Sequence, residues 1–253
     1  MWTLANPSNF LMLTARLLPW LTGLTVALLL LGLYLAFQVA PADYQQGDAA
    51  RIMFIHVPAA WLSMFIYSTM VLAALGTLVW RHPLADAAQK AAAPLGAGFT
   101  FICLATGSIW GKPMWGTWWV WDARLTSVLV LFVMYLGLIA LWQAIEESGL
   151  AARAAAILTL VGAVNIPIIK FSVDWWSTLH QPASVFRLDG PKLPASMLWP
   201  LLVMAVACTL LFLALHVMAI RNEILRRRLH RLAMNAVLGG EASAPGHGLS
   251  AAL

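Results

Sequence analysis

A tryptophan-rich stretch between two long apolar runs carries the residue types best suited to binding a ligand. It reads WGKPMWGTWWVWDAR over residues 110–124, with five tryptophans in twelve positions before Asp122 and Arg124. Tryptophan offers a wide apolar surface for stacking with an N–H at its edge, and the guanidinium of arginine pairs with carboxylates. The stretch therefore predicts a binding surface for a large flat apolar ligand with an acidic edge.

The composition predicts that this surface belongs to a membrane protein. Of 253 residues, 62% are hydrophobic and only 10% are charged, which is far from the composition of a soluble domain. A spanning helix needs about 20 mostly apolar residues. Six stretches meet that standard, at roughly 18–40, 57–80, 91–110, 125–143, 154–173 and 196–220. We predict an all-α integral membrane protein with six transmembrane helices and the tryptophan stretch as a loop between two of them.

Almost no sequence is left over for a soluble domain. We predict one membrane domain over residues 1–238 and a disordered tail, GGEASAPGHGLSAAL, over residues 239–253. The first apolar run is too long for the apolar core of a signal peptide, so we expect it to be an uncleaved span. In span five, Asn165 and Pro167 interrupt the apolar run and predict a kink.

The distribution of Lys and Arg between the loops predicts the orientation. Nine of these residues fall on one side, including the run RNEILRRRLHR after the last span, and six fall on the other. The richer side is expected to be cytoplasmic and to hold both termini, which makes the tryptophan loop extracytoplasmic. The net charge of +5 then follows from topology and does not indicate nucleic-acid binding.

The outer face collects three residue classes. His56, just before Pro58 at the expected mouth of span two, and His180 come from different outer segments, and Arg51, Arg124 and Arg187 lie on the same side. Nine of the thirteen tryptophans are on or near this face: Trp61, Trp110, Trp115, Trp118, Trp119, Trp121, Trp175, Trp176 and Trp199. An aromatic belt would populate both interfaces about equally, so this one-sided set favours a ligand site.

Haem would account for all three classes, because it is a flat apolar macrocycle with a central iron and two carboxylates at one edge. Two neutral imidazoles can take the axial positions of its iron. Zinc would require a third or fourth ligand, and neither Cys103 nor Cys208 is on this face; both sit singly inside spans, as small hydrophobic residues do. Residue chemistry alone indicates a site for a planar metallo-ligand such as haem and leaves open what happens to it.

The segment WGTWWVWDARLTS closely resembles the WWD motif of the haem-handling membrane proteins of cytochrome c biogenesis. Together with YQQGDAARIMFIHVPAAW and the six-span size, it makes the chain similar to one branch, the CcmC or haem exporter protein C family, over nearly its whole length. No motif position departs from the family pattern.

The resemblance implies that haem b is held at an extracytoplasmic WWD loop, on the periplasmic side of a bacterial inner membrane. It implies His56 and His180 as axial ligands of the haem iron, and a haem platform formed by Trp115, Trp118, Trp119, Trp121, Asp122 and Arg124. The assignment of Arg51, Arg124 or Arg187 to the haem propionates is inferred from their charge and side.

The resemblance also implies partners and a role. Proteins of this kind present haem to the chaperone CcmE, whose own histidine becomes bonded to a haem vinyl group. They work with the ATP-binding-cassette subunits CcmA and CcmB and with the small membrane protein CcmD. The expected role is haem delivery by a component that is not itself an enzyme.

Three other functions fit some of the same residues. A membrane subunit for electron transfer would also use two histidines, but it would bury them within the spans. A solute transporter with an aromatic outer gate would need broken helices and polar groups at the midplane, which only Asn165 and Pro167 suggest. A larger haem lyase would share the WWD loop but would have more spans and additional histidines.

Overall fold

The computed structural model describes residues 6–176, 178–180, 184–185 and 189–242, with side chains as far as residue 236. The described chain forms seven α-helices: α1 (Pro7–Tyr34), α2 (Met53–Trp80), α3 (Ala85–Trp115), α4 (Ala123–Ala144), α5 (Ser148–Gly162), α6 (Asn165–Trp175) and α7 (Ala195–Ala242). A π-helical turn, Leu35–Val39, extends α1, and a 3-10 turn, Asp48–Ile52, leads directly into α2. With α5 and α6 counted together, six helical segments are long and apolar enough to cross a membrane. The predicted all-α class with six spans is confirmed.

The first and last spans extend well beyond their predicted bounds. Helix α1 begins at Pro7, where the side chain of Asn6 accepts a hydrogen bond from the Ser8 amide as an N-cap. Helix α7 continues through the basic run, which is rich in the helix-favouring residues Leu and Arg, and across Gly239 and Gly240 to Ala242. The predicted tail therefore begins within α7, and its remainder, residues 243–253, lies outside the described residues.

Span five is broken, as Asn165 and Pro167 predict. Helix α5 ends at Gly162 and α6 restarts at Asn165. Proline removes one backbone donor from a helix, and a polar group freed within a membrane needs a partner. Here the side-chain amide of Asn165 donates to the Ser127 carbonyl of α4 at 2.9 Å, so the break is held against a neighbouring helix.

The core lies between α2, α3, α4 and α5 and contains two fully buried tyrosines. The rings of Tyr67 and Tyr135 meet edge to face with their centroids 5.4 Å apart. Each hydroxyl donates to a backbone carbonyl on another helix: Tyr67 to Thr159 at 3.2 Å and Tyr135 to Ser63 at 2.7 Å. These bonds pair polar groups for which lipid offers no partner, and they join α2 to α4 and to α5.

Ion pairs connect α3 to α7 at the end of the bundle opposite the tryptophans, which we call the basic end (Asp86, Lys90 and residues 221–231). The buried carboxylate of Glu223 lies 3.3 Å from the Lys90 ammonium, and 2.9 Å and 2.8 Å from the guanidinium groups of Arg226 and Arg227. Arg227 also reaches Asp86 at 2.7 Å. Helix α7 is thereby fixed in position where it leaves the bundle.

Close packing at Gly96 generates a stability prediction. A Cβ at Gly96 would lie about 2 Å from the Tyr135 ring, whereas one at Gly98 would meet nothing within 4 Å. We expect Gly96→Ala to lower the free energy of unfolding by about 1–3 kcal/mol, the usual cost of overpacking a core. The matched control Gly98→Ala should be neutral or stabilising, since alanine favours helix. Thermal unfolding of the purified protein measures both, and equal melting temperatures would contradict the prediction.

Candidate functional site

The candidate site lies at the opposite end of the bundle, which we call the loop end (residues 40–52, 116–122, 176, 178–180, 184–185 and 189–194). The start of α2, the end of α3, the start of α4 and the end of α6 meet there. The tryptophan stretch was expected to be a loop from Trp110, but α3 continues to Trp115 and the loop covers only residues 116–122. Gly116, with φ at 75°, ends the helix in a left-handed conformation that glycine adopts without strain. Trp110 and Trp115 are therefore held by a helix.

His56 lies in the first turn of α2 and faces α3. Its Nδ1 is 3.0 Å from the hydroxyl oxygen of Thr106. Its ring packs so closely on α3 that a Cβ at Gly107 would stand 2.9 Å from His56 Cε1. One turn further along α3, the rings of His56 and Trp110 meet edge to face, 5.7 Å apart. Three contacts with α3 therefore fix the orientation of this imidazole.

Trp110 also joins the segment before α2 to the end of α3. Its indole N–H donates to the side chain of Gln46 at 3.0 Å. Gln46 belongs to a tight turn that closes between Asp43 and Gly47. The Trp110 ring thus contacts His56 and also holds the segment before α2 in place.

His180 reaches the same region from the segment after α6. Its Nδ1 is 3.2 Å from Asp122 Oδ2, and its ring meets that of Trp115 edge to face at 5.0 Å. The other carboxylate oxygen of Asp122 accepts the Leu125 amide at 2.7 Å and caps α4. One carboxylate therefore begins a helix and orients a histidine.

Burial lowers the pKa of His180 below its usual value, although the hydrogen bond and charge of Asp122 act in the opposite direction. Burial disfavours the charged imidazolium, and that effect is the larger one. His180 is therefore neutral near pH 7, and the nitrogen that does not face Asp122 keeps its lone pair. His56 contacts Trp110 and His180 contacts Trp115, and both tryptophans lie in the last two turns of α3. The structure thus places the two predicted histidines against the same end of one helix.

The three loop tryptophans differ in exposure. Trp118 and Trp121 are 55% and 76% exposed, whereas the indole nitrogen of Trp119 is buried without a hydrogen-bond partner in the described part of the chain. Trp119 and Trp121 meet edge to face at 5.5 Å. An open cavity of about 330 Å³ lies beside them, lined by Val120, Trp121, Asp122, Thr178 and Leu179. Exposed apolar surface of the tryptophan rings therefore lies next to the Asp122–His180 pair.

The two described candidate arginines already have protein partners. Arg124 donates from Nε to the Ser172 hydroxyl at 3.0 Å and from a terminal nitrogen to the Lys170 carbonyl at 3.3 Å. Arg51 donates to Asp48 at 2.8 Å and to the Ala36 carbonyl at 2.9 Å. Each therefore holds helices together and has only part of its guanidinium left for a ligand. Arg187 lies outside the described residues.

The donors at the loop end do not form a conventional metal site. Within the described residues there is no group of three or more His, Cys, Asp or Glu side chains able to hold a metal ion. Two histidines are too few for structural zinc but suit an iron whose other four ligands come from a macrocycle.

Comparison with known proteins identifies the family. The family model described as heme exporter protein C matches residues 1–235. A heme exporter protein C of Bradyrhizobium diazoefficiens is 68% identical over 231 residues, 91% of this chain and 88% of the relative. The chain belongs to the heme exporter protein C family.

Two further relatives show how widely the likeness extends. The heme exporter protein C of Escherichia coli K12 is 50% identical over 223 residues, covering 88% of this chain and 89% of the relative. A ccmC-like mitochondrial protein of Marchantia polymorpha, named for cytochrome c biosynthesis, is 47% identical over 198 residues, 78% of this chain and 84% of the relative. The resemblance predicted from the WWD motif and the segment before His56 is confirmed.

Sequence reasoning missed the residues that orient the two candidate ligands. Thr106 and Gly107 lie in span three and carry no motif, so nothing in the sequence connects them with His56. Asp122 was expected in the platform, but its bond to His180 was not predicted. One signal was available in the sequence. An Asp directly before a helix predicts an N-cap, which uses one carboxylate oxygen and leaves the other for a second partner.

The bonds of Arg124 generate a prediction that needs no ligand. We expect Arg124→Ala to lower the free energy of unfolding by about 1–2 kcal/mol, since it removes hydrogen bonds that hold α4 against α6. The control Lys112→Ala removes an exposed cation that donates a hydrogen bond to the Gly116 carbonyl of its own turn, and it should change stability much less. Thermal unfolding of ligand-free protein measures both, and a wild-type melting temperature for Arg124→Ala would refute this structural role.

Proposed function

We propose that the chain binds haem at its loop end and presents it for attachment to a haem chaperone. The observation that carries this proposal is that His56 and His180 both lie at the loop end, each with Nδ1 against a protein oxygen, so that Nε2 is the nitrogen proposed to bind the iron. Imidazole bound to haem iron is usually oriented by such a bond at its second nitrogen. Membership of the heme exporter protein C family supports haem as the ligand.

The tryptophans suit the macrocycle. Trp118 and Trp121 supply exposed faces for stacking, and Trp119 supports the Trp121 ring through an edge-to-face contact. Trp115 and Asp122 position His180. Trp115, Trp118, Trp119, Trp121, Asp122 and Arg124 thus form one wall of the proposed site.

The haem propionates require cations near the same wall. Arg124 directly follows the tryptophan loop and has one terminal nitrogen beyond its bonds to α6. Arg51 is committed to Asp48 and Ala36, which makes it the weaker candidate of the two. Arg187 is the third member of the proposed set, on its charge and predicted side alone.

The proposed site faces the periplasm from a bacterial inner membrane. Arg221, Arg226, Arg227, Arg228 and Arg231 all follow the last span at the basic end, and such clusters stay in the cytoplasm. Both termini are then cytoplasmic, and the loop end is periplasmic.

The proposed role is haem transfer and not an enzymatic reaction. In this role the chain holds haem b, presents it to the chaperone CcmE, and works with CcmA, CcmB and CcmD in one export complex. The two histidines fix the iron, and the wall of tryptophans fixes the plane of the ring, so a vinyl edge is offered in one orientation. The contribution of this chain is proximity and orientation.

Removing both histidines tests the proposal directly. We expect His56→Ala/His180→Ala to lose most of the Soret absorption of protein purified from haem-replete cells and to stop loading of the chaperone. The matched control His230→Ala, on the exposed inner part of α7, should keep both. Normal loading of the chaperone by the double variant would exclude the proposal.

The contact between Gly107 and His56 gives a finer test. Gly107→Ala places a methyl group against Cε1 of the imidazole and should rotate the ring away from the iron. We expect roughly tenfold weaker haem binding, an effect typical of changes that misorient a metal ligand. Haem titration followed by absorption measures it, with Gly98→Ala on the same helix as the control. Equal affinities for the two variants would mean that His56 does not depend on this packing.

A further inference from the structure

The two candidate ligands differ in the oxygen that each Nδ1 faces. His56 faces the hydroxyl of Thr106 and also has a hydrogen bond to the backbone of Cys103, whereas His180 faces the carboxylate of Asp122. Both partners of His56 are neutral groups, whereas an ionised carboxylate is a charged acceptor. The acceptor at Nδ1 affects how strongly Nε2 of the same imidazole donates electrons to iron.

The hydroxyl of Thr106 has one proton, and it points elsewhere. Thr106 Oγ1 donates to the Ile102 carbonyl at 2.6 Å, the shortest of its contacts. The oxygen can therefore only accept from His56, so Nδ1 of His56 carries the hydrogen. The lone pair of His56 is then on Nε2.

Asp122 favours the same tautomer for His180, with the hydrogen on Nδ1, and its carboxylate is a stronger acceptor than the Thr106 hydroxyl. An ionised carboxylate can only accept, so Nδ1 of His180 is the donor. Its other oxygen accepts the Leu125 amide at the start of α4, a position that favours negative charge. Only 9% of the Asp122 side chain is exposed, and a charged acceptor bonds more strongly away from water.

A carboxylate behind an imidazole draws the N–H proton towards itself and makes the opposite nitrogen a better electron donor. A neutral hydroxyl has a weaker effect. We infer that the two axial ligands are unequal: His180 is the ligand that the iron retains, and His56 is the ligand exchanged first when an incoming group binds the iron. The inference rests on the proposed function and assigns the two histidines different parts in the transfer of haem.

One electron pair leaves the iron in this exchange and one arrives. The Fe–Nε2 bond to His56 breaks and that electron pair returns to the nitrogen, while an incoming ligand donates one pair to the same position. No oxidant or reductant is needed, and Thr106 keeps the displaced ring in its orientation, ready to bind again. Asp122 and Thr106 act through the histidines and are positioning residues.

Carbon monoxide is a suitable probe, because it replaces one axial ligand of ferrous haem and its vibrations report the ligand on the opposite side of the iron. The full-length haem-loaded protein is reduced, exposed to carbon monoxide and examined by resonance Raman and infrared spectroscopy. We expect its Fe–CO and C–O frequencies to match those of His56→Gly and to differ from those of His180→Gly. A match with His180→Gly would overturn the inference.

Two variants that keep both histidines make the test independent of any loss of haem from the glycine variants. Asp122→Asn preserves the N-cap of α4 with its single acceptor oxygen but removes the acceptor behind His180 Nδ1, and it should shift the Fe–CO frequency upwards. Thr106→Val keeps the side-chain volume, and it should leave that frequency unchanged while carbon monoxide binds roughly fivefold faster, the effect of losing one neutral hydrogen bond. The reverse pattern, or equal effects of the two variants, would refute the inference.

Failure of the proposed function would look different. In that case the starting protein would lack the absorption spectrum of haem with two histidine ligands before any carbon monoxide is added. A normal two-histidine spectrum followed by loss of His180 would leave the proposed function intact and exclude only the unequal ligands.

Discussion

The carboxylate of Asp122 is the constraint on which the loop end depends. One oxygen begins α4 by accepting the Leu125 amide, and the other holds His180. Both demands are met by one buried side chain, so the position of the helix and the orientation of the imidazole are coupled. A residue with a single acceptor oxygen would satisfy one of them and leave the other donor unpaired, at a cost of about 1–3 kcal/mol.

The arginine that follows in the same stretch has a related structural role. Arg124 lies in the first turn of α4 and bonds to Ser172 and Lys170 of α6. Since α6 leads into the segment that carries His180, Arg124 and Asp122 fix the two sides of the same connection. The order Asp-Ala-Arg therefore has a structural explanation that applies with or without a ligand, and family membership alone would not have supplied it.

The fold could be predicted from the sequence to the extent that lipid imposes simple rules. Six apolar runs give six spans, and Asn165 with Pro167 gives the break in the fifth, because both follow from length and backbone hydrogen bonding. The end of α3 could not be predicted in the same way. Gly111 and Pro113 disfavour helix locally, but the helix continues across them to Gly116.

The candidate residues of the site could be named from the sequence, but their contacts could not. His56, His180 and the tryptophans stand out by type and by side of the membrane. The partners Thr106 and Gly107 are ordinary residues of a spanning helix, and only the packing of α2 on α3 brings them to His56. Periodicity identifies which residues face inward and does not specify which residue meets which across two helices.

Helix α7 is much longer than a membrane requires. Its 48 residues extend over about 72 Å at 1.5 Å per residue, against a hydrocarbon layer of about 30 Å. At the loop end, Met197 and Leu201 of α7 pack in the cluster that contains Phe54 and contacts Trp110. At the basic end, Glu223 and Arg227 of the same helix pair with residues of α3. One continuous helix therefore connects the two ends of the bundle, so a displacement of α7 at the basic end also moves the residues that pack near the tryptophans.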